Sequence, residues 1–363
     1  MKQSWQRVLA IALVTVLALA ATGCGNTGSS PSQNVPAQSA APAEKTETPA
    51  TSVPEGETIT FTISADAAGI RDETVDEIIN LLQEKSGGRI QPQKVAAGVL
   101  GSEREMAEAI QLNTLGMTML SDMGIDIVVG QLGWAWLPGL ITSYDEADKY
   151  YFNGWINEEL TKMMAENGII KIGNIENGFR VVGNVVKPIT SMEDLKGMKI
   201  RVPEIPEVLR FYELAGALPV AIAGSEVLTA LEQKTIDGLD NSVYNYTNQG
   251  VVDSVKYVTN TNHCYSGGSI VVSEQLWNSL SDADKEIFKE VAKKAGDDHI
   301  KKFREGTQTL LDNGVANGSW QVIDEVSPEF NAAIQEVCST IWEEFSSKYD
   351  AAVMEKVMSD FKN

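Results

Sequence analysis

Histidine is nearly missing from this chain. His263 and His299 are the only two, which argues against a histidine-built metal centre, so no metal ligand is assigned. Cysteine is as sparse. Of three, Cys24 stands in the N-terminal segment, and Cys264 and Cys338 are read as two buried thiols rather than a disulfide. Basic residues are outnumbered, with 29 Lys and Arg against 50 Asp and Glu and a net charge of −21. Neither nucleic acid nor an anionic membrane surface is therefore an expected partner, and an anionic ligand would need a local cationic cleft. Catalytic signatures are also missing. The chain has no G-x-S-x-G elbow, no H-E-x-x-H, no P-loop and no cysteine patterned with a histidine, so no catalytic residue is assigned and no cofactor is expected.

What is present begins with an export signal. Lys2 and Arg7 precede an apolar run from Val8 to Ala21, and Ala21-Thr22-Gly23-Cys24 follows. The run is too short and wrongly flanked for a stable transmembrane helix. The Gly-Cys junction resembles a lipobox, which makes residues 1–24 a lipoprotein signal peptide and Cys24 the lipidated mature N-terminus; a plain signal peptide cleaved nearby is the other reading. Residues 25–57 are rich in Ser, Pro, Ala, Thr and Gly with almost no large apolar side chain. Such a segment cannot offset its ordering entropy and reads as a flexible tether.

The remainder has the composition of a globular chain, 43% hydrophobic and 22% charged over 363 residues in all, enough for two lobes. Thr58 to Ala65 alternates as a strand. Val75, Ile78, Ile79 and Leu82 mark a helix that ends at Gly87-Gly88, and Ile90 to Val95 reads as a strand despite Pro92. Gly98 to Glu105 is a turn followed by a capping box, Ser102 with Glu105, to which a structural role is assigned. Ser281 to Asp284 is a second capping box, opening a helix that runs to about Asp312, on the order of 45 Å. Ser327-Pro328 starts a last helix with Phe330, Ile334, Val337, Ile341 and Phe345 inward.

The most informative stretch is Asp194 to Tyr246. Alternation places Met198, Ile200 and Val202 on one face of a strand and Lys199 and Arg201 on the other, with Pro203 ending the ladder. A helix opens with Pro206 in its first turn and stops before Gly216. Leu218 to Ile222 is a second strand, a helix N-capped by Ser225 follows, and Ile236 to Asn241 is a third strand. This β-α-β-α-β order predicts parallel strands. Open parallel sheets bind ligands beyond the carboxyl ends of their strands, where Arg201 and Asn241 fall. A guanidinium fork matches a carboxylate with two parallel hydrogen bonds and an Asn amide adds a donor, so the pair describes a clamp for an organic acid.

The motifs DLKGMKIRVP, GALP, GSEVLTALEQ and IDGLDN, in this order, resemble those of the solute-binding proteins of tripartite ATP-independent periplasmic (TRAP) transporters. The resemblance implies an α/β, two-lobed periplasmic-binding-protein-like fold, each lobe a mixed sheet flanked by helices, with a long helix spanning both. It implies that Arg201 pairs with the ligand carboxylate, that Asn241 helps to hold it, and that Arg180, in Glu176-Asn177-Gly178-Phe179-Arg180, is a second cationic contact at the lobe boundary. Gly224 and Asp240 stand where the family has Phe and Glu, which suggests a wider pocket wall at Gly224. Tyr244 and Trp134 are further candidates for the wall, with core packing as the other role of Trp134. His263 is read as a hydrogen-bonded hinge residue. Lobe I is expected over 58–177 plus 267–306 and lobe II over 178–266 plus 307–363. The implied function is capture of an organic acid anion, a sugar acid or dicarboxylate, between the lobes. The implied partners are TRAP permease subunits and, through Cys24, the membrane. A ligand sensor presenting its bound state to a receptor, or an extracytoplasmic enzyme acting on carboxylates, are the alternatives.

Overall fold

The computed structural model describes residues 56–361. The signal segment, Cys24 and the tether as far as residue 55 lie outside them. No helix among the described residues is long and apolar enough to cross a membrane.

The chain opens β1 (Ile59–Ser64), α1 (Ile70–Lys85), β2 (Ile90–Lys94), α2 (Glu103–Gln111), β3 (Met117–Ser121) and α3 (Asp122–Val129). Here β1 pairs in parallel with both β2 and β3. Pro92 is tolerated because β2 is the edge of the sheet, where a missing N–H costs no ladder bond. After α4 (Trp155–Ala165) comes the 16-residue β4 (Ile169–Asn184). The stretch from Asp194 then folds as β5 (Lys199–Val202), α5 (Pro206–Leu214), β6 (Leu218–Ala221), α6 (Val227–Glu232) and β7 (Gly238–Asn241), with β5 parallel to β6 and β7 as the order of elements requires. Ser225 is not the N-cap of α6. A 3-10 turn from Gly224 to Glu226 precedes the helix, and the Glu226 carboxylate folds back to accept from the Ala223 N–H at 3.1 Å, so Ser225 is left inside the turn.

The 17-residue β8 (Tyr257–Ser273) returns antiparallel along the whole of β4, from Ile169 opposite Ser273 to Asn184 opposite Tyr257. One end of this ribbon carries the β1–β3 group through β3, and the other carries the β5–β7 group through β7. The result is one nine-stranded sheet in the order β2-β1-β3-β8-β4-β7-β5-β6, with a short β9 (Gln321–Ile323) beside β8. The mixed sheet expected of each lobe is present as one half of this sheet. Two strands long enough to pass through both groups join the halves. At the middle of the ribbon the pairing slips between Glu176 and Gly178, and Asn177 Nδ2 donates to Ser266 Oγ at 2.8 Å.

Helix α7 (Asp282–Ala316) is 35 residues long, roughly 52 Å, and is capped as expected by Ser281, whose hydroxyl accepts from the Asp284 N–H. It packs on α1 at one end and β9 at the other and crosses β4 between them. The crossing depends on Gly296, where a Cβ would stand 2.2 Å from the Asn174 carbonyl oxygen. The helix α8 (Pro328–Phe345) is not the last. A further one, α9 (Ala351–Phe361), follows, its first N–H groups capped by Asp350 and its residues Val353, Met354 and Val357 buried. Cys264 and Cys338 are buried free thiols.

Candidate functional site

A cavity of about 110 Å³ lies between the two strand groups, and the ends of β3, β5 and β7 open onto it. Arg201, Asn241, Arg180 and Gly224 all line it. Arg201 reaches it because Ile200 and Val202 are committed to the core of β5, which leaves the alternate residue to the cavity. The Arg201 side chain is 5% exposed. Its Nε donates to the Ile222 carbonyl at 2.9 Å, and no Asp or Glu among the described residues is ion-paired with it. Burial, and the charge of Arg180 nearby, push Arg201 down to about 10.

Arg180 is in the opposite state. Its guanidinium is bound by the Asp240 carboxylate and donates to the Asp240 carbonyl at 2.9 Å. Asp240 Oδ2 also accepts from the Tyr212 hydroxyl at 2.9 Å, and His263 Nε2 lies 2.9 Å from the same oxygen. Burial works against the Asp240 carboxylate, yet Arg180, His263 and Tyr212 together hold it at about 2. His263 is fixed from its other nitrogen by Thr261 and stacks on Phe211; it belongs to this buried network beneath the cavity and does not line it.

Asn241 Oδ1 accepts from the Ser242 N–H and from Asn245, which leaves its amide nitrogen without a protein acceptor among the described residues. Gly224 keeps the wall open. A Cβ there would come within 3.3 Å of Gln249 Nε2 and 3.9 Å of the Arg201 guanidinium.

The facing wall was not anticipated. Arg71, in the first turn of α1, donates to Asp66 at 3.0 Å, to Glu103 at 2.6 Å and to Asn177 at 3.3 Å. Glu103 is the first residue of α2, and the Ser121 N–H and hydroxyl at the end of β3 also donate to it. The capping box of Ser102 and Glu105 is present, so the structural reading of that stretch holds for those two residues and misses Glu103, which lies between them. Burial opposes the charge on Glu103, but Arg71 and Ser121 hold its carboxyl below the usual range; burial pushes the Asp66 carboxyl up, and Glu103 adds to the rise. Two carboxyl groups thus share one guanidinium, and this wall is acidic where the Arg201 wall is cationic.

Two expected wall residues are elsewhere. Trp134 is fully buried and stacked on Trp155, with ring centroids 5.6 Å apart, because the short helical turn at 133–136 points it into the core. Tyr244 turns away to pack on Phe303 of α7, at 4.9 Å, over the space left by Gly306. Nothing in the sequence joins Asp66, Arg71 and Glu103. Their convergence requires β1, α1 and α2 to be folded against β3, and an Asp and a Glu flanking an Arg at 37 residues' span carry no local signal.

Comparison with known proteins agrees with this geometry. The family described as bacterial extracellular solute-binding protein, family 7 (DctP), matches residues 66–348. The sialic acid-binding periplasmic protein SiaP of Vibrio cholerae is 24% identical over 85% of this chain and 94% of its own length. Among solved structures, a TRAP periplasmic solute-binding protein from Polaromonas sp. JS666 bound to D-erythronate has a TM-score of 0.73 at 25% identity, covering 82% of this chain and 98% of that one. The sugar acid binding protein DctPAm from Advenella mimigardefordensis in complex with galactonate has a TM-score of 0.78 at 22% identity, covering 84% and 98%, and shares the two-lobed fold.

Proposed function

From the premise that this chain belongs to the bacterial extracellular solute-binding proteins of family 7, the binding subunits of TRAP transporters, we propose that it captures a hydroxylated organic-acid anion in the cavity between its lobes. The protein is a solute-binding protein and not an enzyme, and it acts outside the cytoplasm. The observation that carries the ligand class is Arg201, a buried guanidinium aimed into the cavity with no carboxylate of its own. A buried cation without a partner is costly, and an anion that supplies two acceptor oxygens removes that cost. Asn241 is positioned to add a neutral donor.

The facing wall narrows the class. Carboxylate oxygens of Asp66 and Glu103 accept hydrogen bonds from hydroxyl groups and repel a second carboxylate, so a sugar-acid-like monocarboxylate fits this cavity better than a dicarboxylate. Sialic acid, galactonate and D-erythronate, named for the similar proteins, are acids of this kind. Lobe I comprises 58–177 plus 267–306 and lobe II 178–266 plus 307–363 in this proposal. The captured acid is delivered to a TRAP-type permease by a domain anchored through lipidated Cys24, which intact-mass analysis of the exported protein checks.

A thermal-shift screen tests the ligand class. Galactonate, glucuronate, succinate and uncharged galactose form the panel, and a ligand at one hundred times its dissociation constant adds about 2.7 kcal/mol of stability. A hydroxylated monocarboxylate should stabilise most and galactose not at all. Stabilisation by galactose, or by succinate above the sugar acids, would overturn the reading.

A further inference from the structure

A second cavity, of about 370 Å³, adjoins the first and shares Arg104, Ile127, Glu204 and Ile205 with it as walls. It has room for several water molecules. Besides Glu204, two more acidic side chains line it. Asp126 comes from α3, and its neighbour Ile127 lines the first cavity; Glu207 lies in the first turn of α5, just past Ile205. Glu207 is 3% exposed, and only one of its oxygens is satisfied. Oε1 accepts from the Tyr349 hydroxyl, while Oε2 has no partner. Asp126 is 9% exposed, and its Oδ1 accepts from the Leu132 N–H at 2.7 Å.

Among the described residues two cations line this cavity, and neither is ion-paired with Asp126 or Glu207, although the Lys348 charge pulls the Glu207 carboxyl down in part. Arg104 is ion-paired with Glu204 at 3.0 Å at the rim, and Lys348 sits over the Phe345 ring, 3.6 Å from its centroid. Neither Asp126 nor Glu207 forms an ion pair among the described residues. Two nearly buried carboxyls that border one space without an ion-paired cation cannot both stay ionised cheaply, and a proton on one of them is the simplest relief. The acidities agree with this. Burial, and the charge of Glu207, push Asp126 up to about 6, against the pull of the backbone N–H groups of residues 130–132, and burial also raises Glu207.

We infer that Asp126 and Glu207 form a proton site coupled to the neighbouring anion cavity, so that binding an acid at Arg201 draws a proton onto the pair and the protein holds its acid more tightly as pH falls. The inference rests on the carboxylate-binding reading above. The coupling is electrostatic. An anion placed beside the shared wall raises the energy of the ionised pair, which favours the protonated form, and by reciprocity protonation strengthens the anion's binding. The sign follows from the weakening of both acids by burial. Asp126 is protonated below about pH 6 and ionised above it, and Glu207 is shifted in the same direction, while the carboxyl of a bound acid, with an ordinary pKa near 4, stays ionised throughout.

Calorimetric titration of the intact protein with galactonate at pH 5.5, 6.5 and 8.0, each in two buffers of different ionisation enthalpy, tests it. The expected result is affinity three- to tenfold higher at pH 5.5 than at 8.0, with net proton uptake near pH 6.5. Asp126→Asn, which keeps the acceptor for the Leu132 N–H, should flatten the profile and abolish the uptake. Tyr349→Phe removes the donor that favours ionised Glu207 and should move the profile to higher pH, which a merely structural role would not do. Binding that is flat with pH and proton-neutral in the parent overturns the inference and leaves the carboxylate reading standing. Failure of galactonate and the other acids to bind at any of these pH values overturns both.

Discussion

Arg180 and Arg201 line the same cavity, and Asp240 neutralises only one of them. Its carboxylate binds the Arg180 guanidinium, whereas Arg201, 39 residues upstream in sequence, donates only to the backbone carbonyls of Ile222 and Asp240, at 2.9 and 3.5 Å, and has no acidic ion-pair partner among the described residues. One arginine is therefore part of the frame and the other is available to an anion.

Arg201→Ala should nearly abolish acid binding. Truncating one member of a buried, hydrogen-bonded charge pair costs roughly 2 to 5 kcal/mol, about 30-fold to several thousand-fold in affinity. Arg201→Lys should bind more weakly than the parent but better than Ala, because it keeps the charge and loses the planar fork. Calorimetric titration with the acid found by screening ranks the three, and an Ala variant within threefold of the parent would show that the anion is held elsewhere.

Asp240→Ala should destabilise the fold by about 3 to 5 kcal/mol, since it strands the buried Arg180 charge. Tyr212 and His263 lose their acceptor at the same time. Urea denaturation measures the change. A loss below about 1 kcal/mol would mean that the network is not what holds Arg180.

Glu103→Gln and Asp66→Asn together should shift selectivity. Removing both charges of the acidic wall leaves Arg71 uncompensated, so succinate should gain relative to galactonate by tenfold or more. Competition titrations read that ratio directly, and an unchanged ratio would exclude this wall from ligand selection.

Asp126→Asn should stabilise the ligand-free protein at pH 7.5 by about 1 to 3 kcal/mol. The folded-state acidity of about 6 lies above the unfolded value near 3.9, so between about pH 4 and 6 the folded state holds the proton and the unfolded state does not. Stability from this group therefore falls as pH rises through that window. The advantage of the variant should vanish by pH 4, and denaturation curves at pH 4, 6 and 7.5 check the sign.

Much of the architecture was legible in sequence because the signals were local. Alternation in β5, Pro206 at a helix start, Gly216 with φ of +76° past its end, and the Ser281 cap each depend on a few neighbouring residues. They gave parallel strands, and parallel strands place Arg201 and Asn241 at one sheet edge whatever the rest of the chain does. The family motifs lay in the same stretch. The helix α9 has a local signal as well, in Asp350 and the apolar spacing of Val353, Met354 and Val357.

What the sequence by itself determined is thus the parallel unit and the presence of a guanidinium at the mouth of its strands. Only the tertiary structure decided which charges are spent. That Asp240 turns to Arg180, that Asp66 and Glu103 converge on Arg71, that Trp134 goes to the core, and that Asp126 and Glu207 border one cavity are all relations between segments distant in the chain. Pairing of charges is set by distance in space and by the exclusion of water, and neither is a property of a residue's neighbours in sequence.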